Sequence, residues 1–202
     1  EKIFVRLPSG AKEAFFTRDI LYVKGWLGDE TIHLLVNHWP SRRGGEIKSI
    51  PARKAAAAVC RKKIDSIYYR EPNAKIIVMG DFNDDPTSPS IKDGLKTSQS
   101  MDETTLTQLY NPWTRFFEQG IGTLANRDSW GLFDQILLSR AWLDKTATGF
   151  FFQEAQIFNE GFLRENTGRY KNYPMRTWDG NHYRGGYSDH FPTYVVLLKN
   201  IK

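Results

Sequence analysis

The chain has 202 residues, of which 40% are hydrophobic and 14% aromatic, a composition ordinary for one globular domain with a sizeable core. Its formal net charge of +5 favours phosphate-bearing or other anionic partners without requiring nucleic acid. The single cysteine, Cys60, excludes an internal disulfide framework and a zinc site built on cysteines, and no apolar run approaches the ~18 residues that a membrane helix needs.

The N-terminal part of the chain predicts a hairpin. Residues 14–27 are rich in apolar and aromatic side chains and predict a strand, and Gly28 and Asp29 supply a turn. Residues 32–36 predict the second strand. Pro40 cannot donate a ladder hydrogen bond, so we expect the pairing to stop before it.

Two histidines lie in or just after this second strand. His33 lies inside it, where a hydrogen-bonded structural histidine is the favoured interpretation. His38 lies where the strand gives way to a loop that contains Arg42, Gly44 and Gly45. Guanidinium groups bind phosphate oxygens bidentately, and glycines let backbone N–H groups approach an anion, so this loop predicts a phosphate site. The alternative is a solvated loop with a surface histidine.

A helix is predicted from about Pro51 to Tyr69, with Ser49 as its N-cap and Pro51 in its first turn. Apolar residues recur on one side at helical spacing and are expected to face a sheet. Cys60 lies on that side, which predicts a core residue and not a nucleophile.

The most informative stretch follows this helix. Residues 76–79 are apolar and mostly β-branched, a pattern typical of a strand covered on both faces. Gly80 lets the chain turn, and Asp81 and Asn83 fall at the mouth of the sheet. Residues two apart in an extended chain face the same way, so these side chains can present a carboxylate and an amide to one small object. The alternative is a strand that ends in an Asx turn.

The chain after Asp85 is harder to interpret. A short helix is predicted near residues 91–95, whereas residues 96–127 are polar, mixed and left unassigned. Residues 132–138 predict a strand with Asp134 near its beginning. A buried acid in such a run is costly unless it has a partner, and the alternative is an edge strand with Asp134 in water.

The last part of the chain joins a long irregular segment to a final strand. Residues 161–186 contain several arginines and aromatic residues, and long loops of this kind are usually functional or mobile. Asp189 and His190 then lie side by side just before a strand predicted at residues 193–198. We find no internal repeat, low-complexity tract or linker, so residues 1–202 are expected to form a single domain.

Three short motifs share an order along the chain. They are Gly-Asp-Phe-Asn at 80–83, Phe-Asp-Gln-Ile at 133–136 and Ser-Asp-His-Phe-Pro at 188–192. In this order they resemble the endonuclease/exonuclease/phosphatase superfamily, whose deoxyribonuclease I-like fold is shared by apurinic endonucleases, inositol-phosphate 5-phosphatases and bacterial sphingomyelinases. The resemblance covers the chain from roughly Thr17 to Leu198 and implies an α/β fold built as a four-layer α/β/β/α sandwich.

The resemblance implies a catalytic role for several residues. Asp81 would orient or deprotonate the attacking water, and Asn83 would hold that water or a phosphate oxygen. His190 would donate to a non-bridging phosphate oxygen, with Asp134 on its other ring nitrogen to fix the tautomer and charge. His38 would contact the phosphate from the opposite side.

The resemblance also implies a metal and further phosphate contacts. Asp189 would help to hold a divalent cation, with Mg²⁺ as the first choice and Mn²⁺ or Ca²⁺ as alternatives. Arg42 would join His38, Asn83 and His190 around the substrate phosphate. The implied reaction is metal-assisted, in-line hydrolysis of a phosphate ester.

The N-terminal part of the chain departs from the family pattern. Family members carry an asparagine and a metal-binding glutamate on two early strands, whereas no asparagine precedes Asn37 here. The early glutamates Glu1, Glu13 and Glu30 do not end buried strands. We therefore expect those N-terminal strands to lie outside this chain, with association through the sheet that their absence exposes.

Two functional interpretations stay open at this point. One is a metal-dependent phosphoesterase, of which this chain alone is expected to bind divalent metal weakly and to hydrolyse esters poorly. The other is a non-catalytic phosphate-binding or scaffold module that lacks the principal metal-binding glutamate. The substrate is also open among nucleic acid, a phosphoinositide and a phospholipid headgroup, because basic and aromatic residues suit all three. The compartment is left unknown, with a soluble protein expected and export from a bacterial cell as one option.

Overall fold

A computed structural model describes residues 1–7, 15–126 and 128–200 as a mixed α/β fold. Its strands are β1 (Lys2–Ile3), β2 (Arg6–Leu7), β3 (Phe15–Phe16), β4 (Ile20–Leu27), β5 (Glu30–His38), β6 (Lys75–Asp81), β7 (Thr97–Ser98), β8 (Leu109–Tyr110), β9 (Leu124–Asn126), β10 (Ser129–Gly131), β11 (Asp134–Ser139), β12 (Gly149–Ile157), β13 (Trp178–Asp179), β14 (His182–Tyr183) and β15 (Thr193–Asn200). Its helices are α1 (Glu46–Arg70), α2 (Trp113–Glu118), a π-helix (Ser90–Gly94) and two 3₁₀ turns (Arg140–Trp142 and Gly161–Leu163).

A seven-stranded mixed sheet forms the centre of the fold, in the order β1-β4-β5-β6-β11-β8-β7. The predicted hairpin is confirmed as the antiparallel pair β4 and β5, which meet at Gly28 and Asp29. The first predicted strand is shorter than expected, since it begins at Ile20 after the separate short strand β3. Ala14 and Glu13 lie outside the described residues.

The start of α1 corrects the sequence prediction. The helix begins at Glu46 with Gly45 as its N-cap, so Ser49 lies inside it and Pro51 lies one turn further in than expected. The Ser49 hydroxyl donates to the carbonyl oxygens of Gly45 and Glu46, both at 2.9 Å, and accepts a hydrogen bond from Arg53. Ser49 therefore bonds back to the preceding turn and does not cap the helix.

The two faces of the central sheet are covered by different elements. Ile76 and Val78 pack with Ile64 of α1 on one face, and Ile77 packs with Phe152 of β12 on the other. This arrangement confirms that β6 is buried on both faces. Cys60 is fully buried in the α1 layer, and burial raises the pKa of its thiol to about 12. It is a core residue, as predicted.

The described part of the chain forms three layers, which are α1, the central sheet and the antiparallel pair β12–β15. The predicted fourth layer, helical on the outer face of the second sheet, is not among the elements of the residues described. Within the same residues, no helix combines the length and apolar character that crossing a membrane requires.

Candidate active site

Strand pairing places three titratable side chains in a row at one edge of the central sheet. His38 ends β5 and Asp81 ends the parallel strand β6, and the two residues are register partners. Asp134 begins the antiparallel strand β11 and is paired with Asp81 from the other side. Because parallel strands end, and an antiparallel neighbour begins, at the same edge, residues far apart in sequence become neighbours there.

Gly80 allows β5 and β6 to approach each other just before this row. Its φ of +137° is a backbone conformation that residues with a side chain rarely adopt. A Cβ at this position would lie 1.9 Å from the carbonyl oxygen of Asn37. Asn37 is itself buried, and its amide oxygen accepts a hydrogen bond from the Trp39 indole at 3.0 Å. The strand ends that carry His38 and Asp81 are therefore packed tightly.

His190 reaches the row from the second sheet, because it precedes β15. Its Nδ1 lies 2.7 Å from Asp134 Oδ2, which is the contact expected from the sequence. The Thr123 hydroxyl donates to the same oxygen at 2.6 Å. A carboxylate only accepts, so Nδ1 of His190 is the donor and Nε2 takes no part in this bond. Asp134 therefore fixes the tautomer and orientation of the imidazole.

Asp81 and Asn83 are close together through an Asx turn. The Asn83 backbone N–H donates to Asp81 Oδ1 at 2.8 Å, and its side-chain nitrogen lies 3.3 Å from Oδ2. The same nitrogen donates to the carbonyl oxygen of Trp39 at 3.0 Å. Asn83 is buried, and its φ is +52°. The Asx turn and the proximity of the carboxylate to the amide, which were alternatives for this stretch, therefore occur together. Its amide oxygen is the atom it can offer to a ligand.

Burial and neighbouring charges shift the pKa values of Asp81 and His190. Burial raises the pKa of the Asp81 carboxyl, and the negative charge of Asp134 raises it further. Burial lowers the pKa of His190, but the hydrogen bond and charge of Asp134, with the charges of Asp81 and Asp189, outweigh it and leave the pKa raised above 6.5. His38 is half exposed, with Nε2 at 3.4 Å from Asp81 Oδ2.

Asp81, Asp134 and His190 offer metal-ligand atoms within 4.8 Å of one another. After burial, the charge of Asp134 is the next cause that raises the pKa of Asp81, and a divalent cation between the two carboxylates would relieve their repulsion. Carboxylate oxygens are also the ligands that Mg²⁺ prefers, so the two aspartates fit a hard divalent cation. The predicted ligand Asp189 is exposed and outside this group, although its charge acts on His190.

The guanidinium group of Arg42 has protein partners on several sides. Its Nε donates to the Asn83 carbonyl oxygen at 3.0 Å, and its Nη2 lies 2.9 Å from Asp85 and 3.4 Å from Asp84. It also stacks over the Phe133 ring at 4.4 Å. The structure therefore gives Arg42 the position of a scaffold residue beneath the 81–85 turn, and its predicted phosphate contact stays a prediction.

Several supporting residues were missed by the sequence interpretation. Thr123 lies in the stretch left unassigned, and no motif marks it. Arg53 is fully buried, with Nε at 2.6 Å from Asp84 Oδ1, and Gln135 donates to the Asp84 carbonyl oxygen at 2.8 Å. Arg53 lies three residues before Ala56 on the core side of α1, and this spacing could have indicated its burial.

Comparison with known proteins places these observations in a family. The sequence profile described as the Endonuclease/Exonuclease/phosphatase family matches residues 3–199. No curated protein matches the chain by sequence. The structure is similar to D. rerio TDP2 complexed with single strand DNA product, with a TM-score of 0.53 and 14% identity over 98% of this chain and 67% of that one.

A second similar structure is the mannosyl-6-phosphatase of Bacteroides thetaiotaomicron, with a TM-score of 0.54 and 18% identity over 98% of this chain and 66% of that one. This chain spans only 60% of a humanized D. rerio TDP2. At these identities the structural likeness shows the fold alone. The family profile spans nearly the whole chain, so the chain belongs to the Endonuclease/Exonuclease/phosphatase family, as its motifs predicted.

Proposed function

We propose that this chain is a divalent-metal-dependent phosphoesterase. The observation that carries the proposal is the cluster of Asp81, Asp134 and His190, with His38 on its exposed side and the Nε2 atom of His190 free of the Asp134 bond. The cluster contains carboxylates, which can accept a proton, and imidazoles, which can contact an anion. We also propose a single domain of the deoxyribonuclease I-like four-layer type, of which α1, the central sheet and the β12–β15 pair would be three layers.

In the proposed mechanism, Asp81 accepts a proton from a water molecule as the water oxygen bonds to phosphorus. The bond between phosphorus and the leaving alkoxide breaks in line, and the alkoxide takes a proton from solvent. Nε2–H of His190 donates to a non-bridging oxygen, where negative charge redistributes in the transition state. The amide oxygen of Asn83 holds the attacking water, and His38 contacts the phosphate from the exposed side.

Asp81 and Asp134 are the residues that would hold the divalent cation, with Asp189 as a further candidate. When bound, such an ion neutralises phosphate charge and acts as a Lewis acid. The protein side chains contribute independently of it by orienting the water and the phosphate. The family includes Mg²⁺-dependent phosphoesterases, which agrees with this donor set.

The range of substrates is also a proposal. One similar structure is described with single strand DNA product and another as a mannosyl-6-phosphatase, so the same fold serves both a nucleic acid and a phosphorylated sugar. Phosphate esters of either kind, and phosphoinositides or phospholipid headgroups, are therefore the classes to test. All of them present a phosphate to the His38 and His190 side of the cluster.

The test is a hydrolysis assay on the chain with a series of phosphate mono- and diesters. We expect phosphate release that requires Mg²⁺ and stops when the metal is chelated, with Mn²⁺ and Ca²⁺ compared in parallel. Calorimetry with inorganic phosphate supplies an independent binding measurement. Phosphate binding without hydrolysis of any ester would favour the alternative of a non-catalytic module.

Asp134 should set the pH range of the activity. Burial raises the pKa of Asp81 and stays in place in Asp134→Asn, but the variant removes a charge that raises the pKa values of both Asp81 and His190, so both values should fall. Activity is lost on the acid side when Asp81 is protonated and on the alkaline side when His190 is deprotonated. Both limbs of the pH profile should therefore move to lower pH.

Two measurements check this prediction. An NMR titration of the His190 imidazole in the metal-free protein gives its pKa without turnover. The pH profile of kcat/KM, at a Mg²⁺ concentration that saturates each variant, gives the two limbs. Asp93→Asn, on an exposed residue of the π-helix, is the matched control and should leave both unchanged. A His190 pKa that does not fall in Asp134→Asn would contradict the proposed pairing.

A further inference from the structure

Thr123 is a buried threonine just before β9, and it has no role in the proposed mechanism. Its exposure is 0%, so its polar groups need partners within the protein. The backbone N–H of Thr123 donates to the carbonyl oxygen of Gly131 at 2.8 Å. The neighbouring Gly122 packs so closely that a Cβ there would lie 2.4 Å from the same oxygen. Thr123 is therefore held in one place beside the end of β10.

The other two polar groups of Thr123 both lead to His190. The hydroxyl donates to Asp134 Oδ2 at 2.6 Å, and this oxygen also lies 2.7 Å from His190 Nδ1. The carbonyl oxygen of Thr123 accepts the backbone N–H of Phe191, the residue after His190, at 2.7 Å. Thr123 thus contacts the carboxylate that orients the imidazole and also the backbone that carries it.

The hydroxyl bond gives the two oxygens of Asp134 different roles. Each oxygen of a carboxylate has about two lone-pair sites, and Thr123 and His190 fill those of Oδ2. Rotation of the carboxylate about its Cβ–Cγ bond would break both hydrogen bonds at once. Oδ1 accepts no hydrogen bond from the residues that the structure describes, so it is the oxygen left for a cation.

Packing strengthens the backbone contact beside His190. Phe191 is buried, and its ring stacks on that of Trp130 in β10 with centroids 6.2 Å apart and planes at 16°. β9 and β10 form an antiparallel pair, so the same hairpin holds Phe191 by its ring and by its backbone. The backbone N–H of His190 donates in turn to the Ser188 hydroxyl at 3.1 Å. The imidazole is therefore carried by a backbone that is fixed on both sides.

We propose that Thr123 is a positioning residue for His190. Its hydroxyl fixes the rotation of the Asp134 carboxylate that orients the imidazole, and its carbonyl oxygen anchors the backbone next to the imidazole. The proposal rests on the proposed function, because it concerns the same site. The first action requires a hydroxyl, whereas any residue at this position supplies the carbonyl oxygen. Substitution of the side chain can therefore separate the two actions.

The test removes the hydroxyl and keeps the shape of the side chain. Thr123→Val stays branched at Cβ but cannot donate, and Thr123→Ser keeps the donor. We expect kcat in the Mg²⁺-dependent assay to fall about 10–100-fold in Thr123→Val, the scale for losing the partner of a functional side chain. KM should change little, because Thr123 does not contact the substrate in the proposed mechanism. Thr123→Ser should recover most of the lost turnover.

Thr104→Val is the matched control for the loss of a buried hydroxyl. Thr104 is also fully buried, and its hydroxyl donates to the carbonyl oxygen of Ser100 at 2.6 Å. Its own carbonyl oxygen accepts a hydrogen bond from Arg140, which follows the far end of β11, roughly 20 Å from Asp134 at strand spacing. Thr104→Val should therefore lower the melting temperature as Thr123→Val does, but leave kcat unchanged.

Proton NMR at one pH, without metal, gives a readout that does not depend on turnover. The Nδ1–H proton of His190 is bonded to a carboxylate and should give a downfield signal that His190→Ala lacks. We expect Thr123→Val to broaden or lose this signal and Thr123→Ser to keep it, because only the valine variant frees the Asp134 carboxylate to rotate. The Phe191 amide should stay protected from hydrogen exchange in both variants, since its acceptor is a backbone oxygen.

The two readouts separate failure of this proposal from failure of the proposed function. If no ester is hydrolysed but Thr123→Val loses the Nδ1–H signal, the positioning proposal holds and the phosphoesterase proposal fails. If no ester is hydrolysed and the signal is kept, both fail. If the wild type hydrolyses esters and Thr123→Val keeps its kcat, only the positioning proposal is overturned. It is equally overturned if Thr123→Val loses the Phe191 amide protection together with its activity, because Thr123 would then act only on the fold.

Discussion

Replacing His190 by alanine should lower kcat by about 10²–10³-fold, the scale for losing one preorganised donor to transition-state charge. His190 is held by Asp134 at 2.7 Å, and Thr123 in turn bonds that carboxylate at 2.6 Å. The imidazole is therefore oriented before substrate arrives, and the hydrogen bond and charge of Asp134 raise the pKa of His190, which favours the protonated form that donates to phosphate. Asp81→Asn should be at least as damaging, because it removes the proposed base.

The measurement is a Mg²⁺-dependent hydrolysis assay on a good substrate, with the melting temperature recorded for each variant. His182→Ala is the matched control, since His182 is an exposed histidine of β14, and its kcat should stay within about twofold of wild type. A His190→Ala variant that melts like wild type and keeps its full turnover would remove His190 from the mechanism.

Asp84→Ala should destabilise the fold by about 3–5 kcal/mol, the cost of breaking a buried ion pair from one side. Arg53 is fully buried, and its Nε lies 2.6 Å from Asp84 Oδ1 without the alignment of a hydrogen bond, so charge attraction is the main contact there. Asp84 also accepts from Ser90 and lies 3.4 Å from Arg42. Removing this carboxylate leaves a buried guanidinium without its closest counter-charge.

Urea unfolding at neutral pH checks this prediction. The control is Asp93→Ala on the exposed surface, whose free energy of unfolding should change by no more than about 0.5 kcal/mol. The double variant Asp84→Ala with Arg53→Met should recover much of the lost stability, because no charge is then left buried. If the double variant lost as much free energy of unfolding as the two single variants lost together, the two residues would act separately. Activity should fall with Asp84→Ala as well, because the 81–85 turn carries Asp81 and Asn83.

Local sequence patterns were sufficient to predict several features of the fold. The apolar run of β6 predicted a strand buried on both faces, and the β4–β5 hairpin followed from its turn residues. His33 was expected to be structural, and it is buried between the Tyr22 hydroxyl at 2.9 Å and Glu71 at 3.1 Å. These features depend only on sequence neighbours or on burial. The hydrophobic period of a segment indicates which residues are buried, and its turn residues indicate where the chain reverses.

The contacts of the candidate site required the tertiary structure. The sequence predicted that Asp134 would pair with His190, and it marked the acids and histidines at strand ends, but the row across the sheet edge is produced by strand register. Arg42 was predicted to face phosphate, whereas the fold brings three acidic residues within reach of its guanidinium group. A long charged side chain bonds to whichever group the fold places beside it, so sequence spacing alone does not predict its partner.

The sequence by itself thus determined the family, the central strands and the candidate catalytic residues, since each is written in a short motif or a regular period. Only the tertiary structure decided the N-terminal extension of α1, the support of Asp134 by Thr123, and the bond from Phe191 to Thr123. The last two features arise where segments without periodicity pack against one another, and the first depends on a turn whose helical state no motif marks. The free energy of such contacts depends on distances in space that no local pattern contains.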